Sequence, residues 1–281
     1  MKQIWMLGAM VLAGAAHAQV ATAVPGRAMF PGSAMGITKI EKTLFDGHEA
    51  WKLSDGQSEA VIVPEWGRVM SFGRVGGPNW LWKAPADKFL MGAWKNYGGD
   101  KTWPAPQNLW AGICGRGWPP PPEWDGMAHK AGVKDGKLWM VSPVAHGFGA
   151  RVVRQFWFEA NGDFVIVQAA EKSEGDPLYF SLWSVTQIVP TEAIYLPLNP
   201  ESPYKNSFHW IFKPKAEVSA QSVSPSLLRV IPSVGNDDNN FKIGTDAPIS
   251  AAVAVKDGQA FMVRTAKPAG DYPDGAVTAG F

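Results

Sequence analysis

The chain has almost no cysteine, no excess charge of either sign and no apolar run long enough to cross a bilayer comfortably. One cysteine, Cys114, leaves an internal disulfide without a second sulfur. A chain of 281 residues can bury a core without one. Cys114 lies in Gly112-Ile113-Cys114-Gly115 with no histidine near it in sequence, which reads as a buried small residue and not a nucleophile. Cys/His spacing of the kind that holds zinc is missing, and no metal or other cofactor is expected. Lysine and arginine number 26 against 25 aspartates and glutamates, so nothing favours nucleic acid or an anionic membrane as partner. Helical periodicity is nearly absent as well, and 23 prolines interrupt most stretches in which a helix would propagate.

The longest apolar run is Ile4 to Ala16, behind Lys2 and ahead of Ala16-His17-Ala18. Thirteen residues are short for a bilayer, and the small-x-small ending is that of a secretory leader. The expectation is a signal peptide over residues 1–18 cleaved after Ala18. The mature protein is then periplasmic or secreted, with no membrane insertion. Residues 19–36, rich in Ala, Gly and Pro, read as an N-terminal arm, and residues 37–281 as one domain.

What the chain has is hairpins and tryptophan. Asp46-Gly47, Asp55-Gly56, Asp135-Gly136, Asn161-Gly162 and Asp257-Gly258 each separate two short apolar runs. Such dipeptides adopt the positive φ angles that tight hairpin turns require. The architecture expected is all-β, with antiparallel sheets packed face to face. Nine of the 14 tryptophans fall between Trp51 and Trp124, interleaved with Gly and Pro, which suggests that some line a cleft. Residues 98–128 contain no convincing strand and read as a long functional loop.

The most informative stretch is Asn96 to Gln107, Asn-Tyr-Gly-Gly-Asp-Lys-Thr-Trp-Pro-Ala-Pro-Gln. Gly98-Gly99 opens backbone angles closed to other residues, while Pro104 and Pro106 fix φ and remove donors. The reading is a stiff loop that sets the directions of Asp100, Lys101, Trp103 and Gln107, as a site or as a structural loop. A second stretch, Phe180 to Ile188, alternates so that Trp183 and Gln187 share a sheet face, either for stacking and amide hydrogen bonds or as plain core.

Val63-Pro64-Glu65-Trp66-Gly67-Arg68-Val69-Met70-Ser71-Phe72, Leu81-Trp82-Lys83, Asn96 to Gln107, Trp183 to Gln187 and Phe241 to Asp246 together resemble the bacterial DUF4380 family. Through that family the chain is similar to the galactose mutarotase-like superfamily. The resemblance implies an antiparallel β-supersandwich with a carbohydrate-binding cleft on one concave sheet. Aldose 1-epimerases of that superfamily pair a histidine acid with a late glutamate base. His146 is the best-placed histidine by sequence, but no glutamate follows Glu217. Either C-terminal strands are lacking or the base comes from elsewhere.

Two functions of different class therefore stand. One is an exported, epimerase-like or other sugar-active enzyme using Asp100, Lys101 and His146. The other is a non-catalytic carbohydrate-binding or structural envelope protein. Both place Arg68, Asn96, Tyr97, Trp103, Gln107, Trp183 and Gln187 around a mono- or oligosaccharide, with Trp faces over the ring and amides on the hydroxyls.

Overall fold

The computed structural model describes residues 4–10, 34–85, 90–91, 94–232, 240–267, 270 and 272–281, the first and third of these segments by backbone alone. Most of the expected leader and arm, residues 1–3 and 11–33, lies outside the described residues. The fold is all-β with antiparallel sheets, 51% strand and 8% helix. Among the described residues no helix is long and apolar enough to cross a membrane. The chain forms two compact units, one from residues 14–182 and one from residues 183–281 with the Ile4–Met10 strand.

Among the described residues the 14–182 unit contains two large antiparallel sheets and the short Leu90–Met91/Trp94–Lys95 pair. Lys39–Phe45, His48–Ser54, Ser58–Val63, Arg68–Arg74 and Asp100–Ala105 lie side by side in chain order. Lys130–Lys134, Lys137–Val141, Ala150–Phe158 and Phe164–Lys172 form the other sheet, again in chain order. The expected turns make these hairpins. At Asp46-Gly47 and Asp135-Gly136 both residues have positive φ, as they do at Asp257-Gly258 in the other unit. Alternation along each strand then decides what is buried. On the Ala150–Phe158 strand Val152, Arg154 and Phe156 point inward, between the exposed or half-buried Arg151, Val153 and Gln155. Leu53, Ile62, Leu138, Met140, Phe156 and Phe158 are fully buried, Phe72 stacks on Phe164 of the other sheet, and Met70 packs instead with Ala50, Val63 and Trp66.

The 183–281 unit is built on a five-stranded antiparallel sheet ordered Ser219–Ser224, Leu227–Ile231, Ala193–Pro197, Ser250–Lys256, Gln259–Thr265. Lys242–Thr245 pairs with His209–Phe212 on one side and with Ala279–Gly280 on the other. Ile4–Met10 pairs with Ala279–Gly280 in turn. Ile194, Leu196, Leu228, Val230, Ile243 and Ala254 fill the core.

One expectation needs correction. The stretch from 98 to 128 is not strandless, because Asp100–Ala105 is a strand with all six residues buried, and Val69 pairs with Asp100. Its Pro104 lacks an amide donor and sits at the strand's end, where a ladder hydrogen bond is dispensable. The rest of the stretch is loop with two short helices, Trp110–Cys114 and Pro122–Asp125.

Candidate functional site

The Gly98-Gly99 pair sets up everything that follows it. Both residues have positive φ, 93° and 67°. The Gly99 amide donates to the Trp82 carbonyl at 2.8 Å, and the Gly98 amide to Asn96 Oδ1 at 3.3 Å. A Cβ at Gly98 would collide with the Trp82 carbonyl, and one at Gly99 with the Val69 carbonyl. Only glycine allows this approach. The chain then enters the Asp100–Ala105 strand, where alternation sends Asp100 and Thr102 one way and Lys101 and Trp103 the other. Asp100 meets Arg154 of the facing sheet, and Thr102 Oγ1 lies 2.5 Å from Gln168 Oε1. On the other side Trp103 Nε1 donates to Asp125 Oδ1 at 2.5 Å.

A buried charged cluster results. Arg68 donates to the Gly98 carbonyl and to the Asp125 carbonyl, both at 2.7 Å, and pairs with Asp125 Oδ1 at 3.0 Å. Asp125 also accepts the Trp94 indole N–H. Arg154 holds the Asp100 carboxylate and reaches its carbonyl at 3.2 Å. Arg68, Lys101 and Arg154 are at most 1% exposed, so three cationic side chains share the interior with two carboxylates. Burial lowers the Arg68 pKa, opposed by Asp125. Burial, with the Arg68 charge beside it, holds Lys101 well below the ordinary lysine range. Arg68 Nε, Asn96 Nδ2 and Arg154 Nε are buried without a protein partner.

The structure thus gathers Arg68, Asn96, Tyr97, Asp100, Lys101 and Trp103, and places all but the half-buried Tyr97 inside the protein. Gln107 opens a short turn, Gln107–Leu109, and is half-buried. His146 does not join the cluster. Its side chain is 88% exposed and lies 3.8 Å from Glu174. Trp183 and Gln187 belong to the other unit, both buried, with Lys242 Nζ 3.9 Å above the Trp183 ring. Sequence reasoning missed Asp125 and Arg154. Arg154 left a readable trace, a charge in the inward register between Val152 and Phe156, whereas Asp125 left none.

The open surface runs along the Lys39–Phe45/His48–Ser54 hairpin and the Pro64–Trp66 turn. A groove of about 730 Å³ is lined by Lys42, His48, Trp51, Glu65 and Ala128 among others. His48 Nδ1 and Glu65 Oε2 are 2.6 Å apart, and both side chains are partly exposed. A ladder of rings links this pair to the cluster. His48 packs 4.7 Å from Trp66, Trp66 stacks on Tyr97 at 4.8 Å and 11°, and the Arg68 guanidinium sits 5.5 Å from the Tyr97 ring. The groove wall is pinned from below, where the His129 amide donates to the Pro64 carbonyl at 2.8 Å and the His129 ring fills the space over Gly67. Among the described residues no group of three or more His, Cys, Asp or Glu is placed to hold a metal ion.

No family model matches the chain, and no curated protein matches it.

Proposed function

We propose that the protein is an exported, non-catalytic carbohydrate-binding protein, and that the sugar sits in the groove beside His48, Trp51 and Glu65. The observation that carries this is an open groove combining a hydrogen-bonded imidazole–carboxylate pair with an aromatic residue. A pyranose offers hydroxyls that donate and accept, and an apolar face. Glu65 accepts, Lys42 donates, His48 does either, and Trp51 supplies the apolar surface. The resemblance read from the sequence implies the same ligand class.

Binding is favoured over turnover by the fate of the residues expected to react. Acid–base chemistry on a sugar needs two titrating groups that reach separate atoms of one bound ring, whereas His48 and Glu65 engage each other at 2.6 Å. The Asp100 carboxylate is held by Arg154, Lys101 is enclosed, and His146 stands apart from both. The Asn96–Gln107 stretch, in this reading, is a clamp that fixes the groove floor through Arg68, Tyr97 and Trp66.

Two results are expected. Trp51→Ala, at a half-buried position, leaves the fold intact and weakens the sugar bound from a mono- and oligosaccharide panel by about fivefold or more in titration calorimetry. Unchanged affinity for every sugar that binds would move the site elsewhere. Mass spectrometry of protein from its native host shows Gln19 as the first residue. Full-length chain retained in the cytoplasm would contradict export.

A further inference from the structure

A second recess lies in the same unit, and a side chain of the protein fills it. Trp94, Trp103 and Trp110 are each nearly buried and pack edge-on around Trp103, with centroids 6.1 Å and 5.8 Å from its own. Each indole N–H is already used. Those of Trp94 and Trp103 go to the Asp125 carboxylate, and that of Trp110 to the Pro104 carbonyl at 3.1 Å. The three rings are therefore fixed in orientation and offer faces and edges rather than donors.

The Trp118 ring covers them, 4.9 Å from Trp94, 5.8 Å from Trp103 and 6.3 Å from Trp110, where it lies nearly parallel at 21°. Trp118 is nonetheless 46% exposed. Much of the chain leading to it is exposed as well. A Cβ built on Gly112, Gly115 or Gly117 would touch nothing within 4 Å, and Arg116 between the last two is exposed. Gly115 has a φ of 71°, a turn conformation with no packing around it. Downstream the chain stiffens at once, with Pro119 to Pro122 in a row. One ring, anchored on three others, holds the exposed Gly115–Gly117 turn between Ile113 and Cys114, which pack on Gly147, and the buried Pro120.

We infer that Trp118 is a lid, and that its indole occupies a ready-made recess on Trp94, Trp103 and Trp110 for a flat ring with an apolar face. The choice of a pyranose as that ring rests on the proposed function, whereas the lid does not. Because the recess is filled from within, any ligand competes with Trp118, and its apparent affinity is reduced by the fraction of molecules with the lid open. Removing the ring lifts that competition.

The test uses the full chain and its Trp118→Gly variant, with folding checked by a cooperative melt. Limited trypsin digestion, read by fragment mass, is expected to cut after Arg116 at least about tenfold faster in the variant, since the loop has lost its tether. Titration with methyl β-D-galactopyranoside, methyl β-D-glucopyranoside and indole is expected to show at least about tenfold tighter binding of one of the sugars in the variant. A gain for indole alone upholds the lid and recess and removes the sugar, which counts against carbohydrate at this place and leaves the groove to its own test. No gain for any of the three overturns the recess. Equal cleavage rates overturn the tether, and the lid with it.

Discussion

Asp125→Ala is expected to cost about 3–5 kcal/mol of folding stability, the largest loss from any single side chain in the cluster. Asp125 is 2% exposed and receives three donors, the indoles of Trp94 and Trp103 and the guanidinium of Arg68. Truncation leaves a buried cation without its counter-charge and two buried N–H groups without acceptors, and each such group carries its own desolvation penalty. Urea unfolding should show a lower midpoint at an unchanged slope. Asp125→Leu combined with Arg68→Met should recover much of the loss, because no charge is then left unpaired, and the double-mutant cycle gives the coupling directly. A cost below about 1 kcal/mol for Asp125→Ala would mean that Arg68 finds another partner, and the clamp assigned to the Asn96–Gln107 stretch would lose its basis.

The clamp shows what sequence can and cannot convey here. Hairpins were readable because Asp-Gly and Asn-Gly act locally, and a turn with two positive φ angles needs nothing from the rest of the chain. That Arg68, Asn96, Asp100, Lys101 and Trp103 belong together was readable too, since polar residues packed among glycines and aromatics rarely serve a loop alone. Their depth was not. A lysine between an aspartate and a threonine looks the same at a cleft as in an interior. What decides is the second sheet, whose Arg154 lies 54 residues from Asp100, and a helix whose Asp125 lies 57 residues from Arg68. The Asp100–Ala105 strand was hidden by Pro104 and by the absence of alternation, because both of its faces are covered. His146 was chosen for its place just before a strand, and it sits in the turn that its glycines mark. His48 and Glu65, 17 residues apart, look like ordinary surface residues until the sheet brings them to 2.6 Å.

Acid should destabilise the fold through His129. This imidazole is 8% exposed, and its Nδ1–H donates to the Met127 carbonyl at 2.8 Å, which leaves Nε2 unprotonated. Burial, only partly offset by that hydrogen bond and reinforced by Arg154 and Arg68, pushes its pKa from 6.5 down to about 4. Above pH 6.5 the ring is neutral in both folded and unfolded chains and adds no pH dependence. As pH falls below 6.5 the unfolded chain takes up a proton that the folded one refuses, so stability declines until about pH 4 and then levels off. The loss attributable to this one group is about 3 kcal/mol over the window. His129→Asn, whose amide N–H can still reach the Met127 carbonyl, should flatten the profile between those limits while costing little at pH 8. The ring rests on Gly67 and its backbone on the Pro64 carbonyl, beneath the wall that carries Glu65 and Ala128. Sugar affinity in the groove should stay level while the folded ring is neutral, fall only as the pH approaches 4, and become less acid-sensitive in the variant. Parallel urea titrations from pH 8 to pH 4 on both proteins decide the point. Superimposable profiles would show that the acid sensitivity comes from other groups, with His129 merely filling space.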